Sequence, residues 1–187
     1  MKKFIDELED HKSMIEKLIS CSETIEAVAD KLIETLKNGG KIFLCGNGGS
    51  AADCQHIAAE LVVKYRIVRP ALAAIALTTD TSILTAHAND FDFETVYARQ
   101  VEALATEKDC LIAISTSGRS KNIIKAAEAA NLKGMLVIGL TGAEGGELSR
   151  LVSHSINVPS KITARIQEAH ILIGHWWCDV VEESLGV

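Results

Sequence analysis

A histidine and a glutamate four residues apart, His56 and Glu60, follow closely on a glycine-rich stretch, Gly46-Asn47-Gly48-Gly49. At helical spacing the two side chains share one face, about one turn from each other. An imidazole and a carboxylate so placed can move protons to and from a bound substrate. The same spacing also occurs in the polar stripe of an amphipathic helix. Ala51, Ala52, Ala58 and Ala59 flank the pair and leave room for a pocket.

A second candidate is Ser115-Thr116-Ser117-Gly118-Arg119-Ser120. Hydroxyls and amides at the start of a helix donate hydrogen bonds without excess charge, which suits a phosphate monoester. Such hydroxyls also serve as plain helix caps. Further along, Gln167, His170 and His175 lie in a long apolar segment, where a lone histidine is commonly a satisfied core or interface residue. Asn89-Asp90 reads, taken alone, as a turn.

The elements that must hold these residues follow from hydrophobic spacing. The apolar run 42–45 suits a buried strand, the glycines break it, and a helix is expected next, with Ser50 as its N-cap and Asp53 three residues on. Strand, glycine turn and helix start together form an anion cradle, because glycines admit a ligand close to the backbone and first-turn N–H groups point at it. Before this unit, residues 4 to about 37 contain no Gly or Pro and read as two helices with a break near 20–22, ended by Gly39-Gly40. The first carries an apolar stripe that either its own sheet or another subunit could cover.

Beyond it, 72–77 reads as a second strand, and Asp80 or Thr81 caps a short helix through 86. Residues 92–104 read as a helix, 109–114 as a strand, 121–130 as a helix, 135–140 as a strand, 147–151 as a short helix and 154–158 as a fifth strand. A long helix over 161–185 closes the chain. Continuous apolar strands alternating with helices predict an open parallel sheet covered on both faces. Ligands of such sheets bind beyond the carboxyl ends of the strands, where the stretches 46–50 and 115–120 both fall.

With 187 residues and 48% hydrophobic content the chain suits one domain, residues 1–187, with 1–38 as a helical segment. A net charge of -6 argues against a dedicated nucleic-acid surface. The opening Met1-Lys2-Lys3 runs into Asp6, Glu7, Glu9 and Asp10 with no apolar core, so no secretory signal is expected. No apolar stretch is long enough to span a bilayer. Cys21, Cys45, Cys54, Cys110 and Cys178 are scattered, odd in number and form no CxxC pattern, which fits a reducing compartment and a cytoplasmic location.

Gly46-x-Gly48-x-x-Ala51 also fits a loose dinucleotide fingerprint. That reading wants an acidic residue about 20 positions on, at the end of the second strand. The interval holds Tyr65, Arg66 and Arg69 instead. No Lys-Ser or Lys-Thr follows the glycines, which excludes a P-loop. A sugar phosphate is the better ligand.

The set CGNGGSAADCQHIAAEL, LTTD, AND, AISTSGRS and TARIQEAHILIGH, in that order, resembles the sugar isomerase (SIS) family, and more narrowly the phosphoheptose isomerases. The resemblance covers essentially the whole chain. It implies a flavodoxin-like three-layer α/β/α fold with a five-stranded parallel sheet, N-terminal helices used in oligomerisation, and a homotetramer with active sites at subunit contacts. It implies an aldose–ketose isomerase that converts sedoheptulose 7-phosphate to D-glycero-D-manno-heptose 7-phosphate through an enediol, the first step of nucleotide-activated heptose synthesis, with neither a nucleic-acid nor a membrane partner.

Carried over to this sequence, the resemblance assigns Asn47, Gly48, Gly49, Ser50, Glu60, Asn89, Asp90, Ser115, Thr116, Ser117, Ser120 and Gln167 to the substrate. It assigns His56, Glu60, Gln167 and His175 to Zn2+, and Glu60 and His175 to catalysis. Gln167 and His175 lie about 12 Å apart along one helix and about 80° around it. They reach one ion only by leaning inward, so the catalytic pair is the firmer expectation.

Departures from the family are Arg119 and Lys121, where small or neutral residues are common, and Ala164, where some members carry Asp. A tetrameric adaptor that associates with a replication initiator shares RIQE but lacks the glutamate matching Glu60. That non-catalytic role, or isomerisation of another sugar phosphate, is the alternative reading.

Overall fold

The computed structural model describes residues 3–186; Met1, Lys2 and Val187, the ends of the expected 1–187 domain, lie outside the described residues. Five strands, β1 (Ile42–Cys45), β2 (Ala74–Ala76), β3 (Cys110–Ile114), β4 (Leu136–Gly142) and β5 (His154–Val158), form one parallel sheet in the order β2-β1-β3-β4-β5. This is the expected flavodoxin-like arrangement. The chain leaves β1 toward one edge, makes β2 there, and returns to β1's other side for β3. The carboxyl ends of β1 and β3 therefore flank a crevice where the direction of winding reverses.

Alternation along each strand sorts the core into two layers. Ile42 and Leu44 of β1, with Ile112 and Ile114 of β3, pack under α1 (Phe4–Leu18), α2 (Ser22–Lys37), α3 (Gly49–Val62) and α7 (Thr163–Leu185). Phe43, Cys45, Leu111 and Ala113 face α5 (Val96–Leu104) and α6 (Lys121–Leu132). Because both faces are covered, the central strands β1 and β3 read as unbroken apolar runs. All five cysteines are free, and burial pushes the Cys45 and Cys178 thiols up to about 12.

Several boundaries differ from the sequence reading. β2 keeps only three residues of the expected 72–77, because the Leu72 amide donates to the Leu61 carbonyl at the end of α3 instead of to the sheet. The next helix, α4 (Thr81–Asp90), starts as expected on Asp80, whose carboxylate accepts from Ile83 N, but runs on through Asp90. Asn89 and Asp90 thus form its last turn instead of a turn after it. The segment expected as one helix over 92–104 opens with a 3-10 turn, Phe93–Thr95, capped by Asp92. A second such turn, Leu148–Arg150, replaces the short helix. α3 begins on Gly48, not Ser50, because φ +56° and ψ −121° at that position suit glycine; Ser50 is buried in the first turn. A third 3-10 turn, Ile19–Cys21, supplies the break foreseen between α1 and α2.

Candidate active site

Two loops meet at the crevice. The loop after β1 is held from below by Tyr97, whose hydroxyl donates to the Gly46 carbonyl at 2.8 Å. Its Asn47 side chain exchanges two hydrogen bonds, at 2.9 and 2.8 Å, with that of Asn122 in the first turn of α6. Asn122 is buried and was missed in the sequence, although a lone amide beside Ile123 and Ile124 at a helix start is the signal for it. The reciprocal amide pair joins the loops after β1 and β3.

The second loop is fixed just as firmly. Gly142 N donates to the Thr116 carbonyl, Leu148 N to the Gly118 carbonyl, and Gly118 N to the Ser115 carbonyl. Gly118, at φ +62°, lies so close to Gly145 that a Cβ would sit 1.9 Å from its carbonyl oxygen. The Ser115 hydroxyl donates to that of Ser120 at 3.1 Å. Ser120 is the N-cap of α6 yet makes no side-chain cap bond, and neither does Gly48 at the start of α3. Both helices that begin at the crevice therefore present first-turn amides that no cap side chain accepts, the arrangement that binds an anion.

α7 brings the third component. Gly174 lets it lie against α3, since a Cβ there would come within 2.5 Å of Ile57 Cδ1. This contact delivers His175 to the His56 and Glu60 face. His175 Nε2 stands 3.4 Å from His56 Nε2, and His56 Nε2 stands 3.3 Å from Glu60 Oε1. The three ligand atoms lie within 4.8 Å of one another. Four ligands about 2.0–2.1 Å from a tetrahedral cation are separated by about 3.3 Å. The donor set and spacing therefore fit a divalent metal, leaving further positions for another ligand.

Gln167, two turns before His175, reaches the other end of α3: a Cβ at Gly49 would be 2.6 Å from Gln167 Nε2. Asp53, one turn before His56, is also close by. Burial raises its pKa, and the charges of His56 and His175 act against that rise. Asp53 Oδ2 is buried without a hydrogen-bond partner.

The remaining expected residues are placed differently. Asn89 and Asp90 are exposed at the end of α4, where Asn89 Nδ2 donates to Asp90 Oδ1 at 2.8 Å. Arg119 and Lys161 both pair with Glu144, at 2.9 and 3.3 Å, and Lys121 pairs with Glu94 at 2.7 Å. These added cations are thus offset by neighbouring carboxylates. His170 is fully buried, with Nε2 3.1 Å from the Thr141 carbonyl, and burial lowers its pKa to about 4. It is a core histidine.

Residues 3–142 match the family model described as SIS domain. A phosphoheptose isomerase 1 of Campylobacter jejuni is 52% identical, over 95% of this chain and 96% of its own. One from Helicobacter hepaticus is 51% identical over 96% and 92%. Among solved structures, a phosphoheptose isomerase from Neisseria gonorrhoeae superposes with a TM-score of 0.90 at 42% identity, covering 96% of this chain and 97% of the other.

Proposed function

The chain belongs to the SIS domain family, and from that premise we propose that it is an aldose–ketose isomerase interconverting sedoheptulose 7-phosphate and D-glycero-D-manno-heptose 7-phosphate. The observation that carries the proposal is the meeting of His175 with His56 and Glu60, 119 residues apart in sequence for the two histidines, beside two uncapped helix starts. The names of the relatives supply the substrate.

The reaction moves a proton between C1 and C2 through an enediol, so it needs a base over the carbon and an acid beside the oxygens. Glu60 takes the carbon-bound proton, and His175 gives and takes protons at the oxygens. Ser115, Thr116, Ser117 and Ser120, with the first-turn amides of α6, hold the phosphate. That anchor leaves the reacting end of the extended sugar at the histidine cluster, where orientation replaces chance encounter. Asn47, Gly48 and Gly49 line the sugar's path, Ser50 supports them from within the first turn, and Asn89 and Asp90, exposed at the end of α4, complete the set assigned to the substrate. Gln167 would join His56, Glu60 and His175 in holding Zn2+, which would supply polarisation of the sugar oxygens.

We read the whole chain as one SIS unit that works in the cytoplasm. Among the described residues no helix is long and apolar enough to cross a membrane. Phe4, Ile5, Leu8 and Ile19 of the N-terminal segment, with Leu172 and Trp176 of α7, leave large apolar side chains exposed. That exposure supports a homotetramer in which the N-terminal helices contribute contacts. The deciding experiment is incubation with sedoheptulose 7-phosphate followed by NMR. Appearance of the seven-carbon aldose phosphate is expected. Turnover of only a five- or six-carbon ketose phosphate would reassign the substrate, and no turnover of any would leave a binding scaffold.

A further inference from the structure

Seven residues beyond His175, two turns along α7 and on the same side of the helix, stands Glu182. It is buried, yet its carboxylate is not idle. The amides of Tyr65, Arg66 and Ile67 donate to it at 2.8, 2.6 and 2.8 Å, and Arg69 Nε donates at 3.1 Å. Three consecutive N–H groups converge on one side chain, so the turn that leaves α3 is wrapped around the end of α7. Burial opposes the negative charge, but the three amides and Arg69 outweigh it and hold the carboxyl below its usual range.

Both catalytic side chains depend on this knot. Arg69, itself buried, donates from Nη2 to the Glu60 carbonyl at 2.8 Å. That carbonyl lies in the last turn of α3, where helix carbonyls lack helical partners. Tyr65, anchored by its amide, lays its ring along the His175 imidazole with centroids 5.8 Å apart and planes 27° apart. His56 meets the same imidazole edge-on at 4.8 Å. Arg66 covers the Tyr65 ring and pairs with Asp179 at 3.1 Å, which holds the ring in place.

We propose that Glu182 and Arg69 are positioning residues of the isomerisation: through the Glu60 carbonyl and the Tyr65 ring they set the separation and tilt of Glu60 and His175. This deepens, and rests on, the isomerase reading given above. The phosphate is held elsewhere, so loosening the knot lowers kcat and spares KM.

The test uses Tyr65→Phe, which keeps the ring, Tyr65→Ala, which removes it from a half-buried position, and Glu182→Gln, which keeps the shape and loses the charge. Tyr65→Ala and Glu182→Gln are expected to lower kcat roughly ten- to a hundredfold with KM within about twofold. Tyr65→Phe is expected to keep the wild-type rate. Histidine-selective NMR gives a readout independent of turnover: the His175 ring protons shift in Tyr65→Ala and in folded Glu182→Gln as the tyrosine ring current is lost, and stay in place in Tyr65→Phe. His175 resonances unmoved in Tyr65→Ala or in folded Glu182→Gln, or either of these variants melting earlier yet keeping its kcat, overturn the proposal. If Glu182→Gln fails to fold, the two Tyr65 variants and Arg69→Lys decide by the same criteria. A wild-type protein without isomerase activity sinks the reaction assigned above, while the NMR shifts still report on the positioning contact.

Discussion

β1 and β3 run side by side, and their two ends are finished in opposite ways. At the amino ends Asp109 is saturated: Lys41 N and Thr106 N donate to it at 2.7 Å each, Thr106 Oγ1 at 3.0 Å and Lys41 Nζ at 3.1 Å. Burial opposes its charge, and these donors outweigh burial to hold the pKa below its usual value. A cleft of about 720 Å³ opens on this side, between Asp109, Lys31, Glu34 and Met135, against one of about 200 Å³ beside Thr116 and Ser117 at the other end. At the carboxyl ends the helix starts are uncapped, Asp53 Oδ2 has no partner, and two imidazole nitrogens face each other. Polar groups that satisfy one another make a joint, whereas polar groups left aimed at a common space await a ligand. Cleft size alone would have chosen the wrong end.

The contrast can be broken most severely by exchanging losses between the two ends. Glu60→Gln or His175→Gln is expected to cut kcat by about two to four orders of magnitude, while stability to urea stays within about 0.5 kcal/mol of wild type. Asp109→Ala is expected to do the reverse. It leaves the Lys41 and Thr106 amides without their acceptor and costs about 1–3 kcal/mol of stability, with turnover per folded molecule unchanged. An Asp109→Ala protein that folds normally but loses activity would erase the distinction.

Two histidines five residues apart on α7 sharpen it further. The His170 pKa falls from 6.5 to about 4, so between those values the unfolded chain binds a proton that the folded chain refuses. Stability therefore falls as pH drops through that window, by up to about 3 kcal/mol. Denaturation of His170→Gln across the same pH range is expected to show a flatter slope. The smallest effect belongs to Arg119→Ala and Lys121→Ala, whose exposed charges are already paired. KM should change by no more than about twofold; a tenfold rise would make these cations part of the phosphate site.

The parts legible in sequence were those set by local rules. Strand and helix identity followed from apolar spacing, and the His56–Glu60 face followed from a helical period that tertiary structure did not alter. Local rules failed where a long-range contact decided the outcome. Leu72 left the sheet for Leu61, and Gly48 took the cap from Ser50 through a backbone angle that composition does not reveal. The amide pair of Asn47 with Asn122 and the grip of Glu182 on the turn at Tyr65 join residues 75 and 117 positions apart in the sequence, and no periodicity announces them. That His175 would meet His56 came from resemblance; the physical reason, a glycine at 174 admitting Ile57, is visible only in three dimensions.

α7 touches nearly every part of the machinery from one rod. Arg165 and Glu168 bind α1, Gln167 reaches the glycine loop, His175 meets α3, and Glu182 clasps the turn beyond it. A rod has a single phase. Inserting one alanine between Gln167 and His175 would twist its two halves by about 100° and lengthen it by about 1.5 Å, so no side chain downstream could keep its appointment. Drift along this helix is therefore tolerable by substitution and intolerable by change of length.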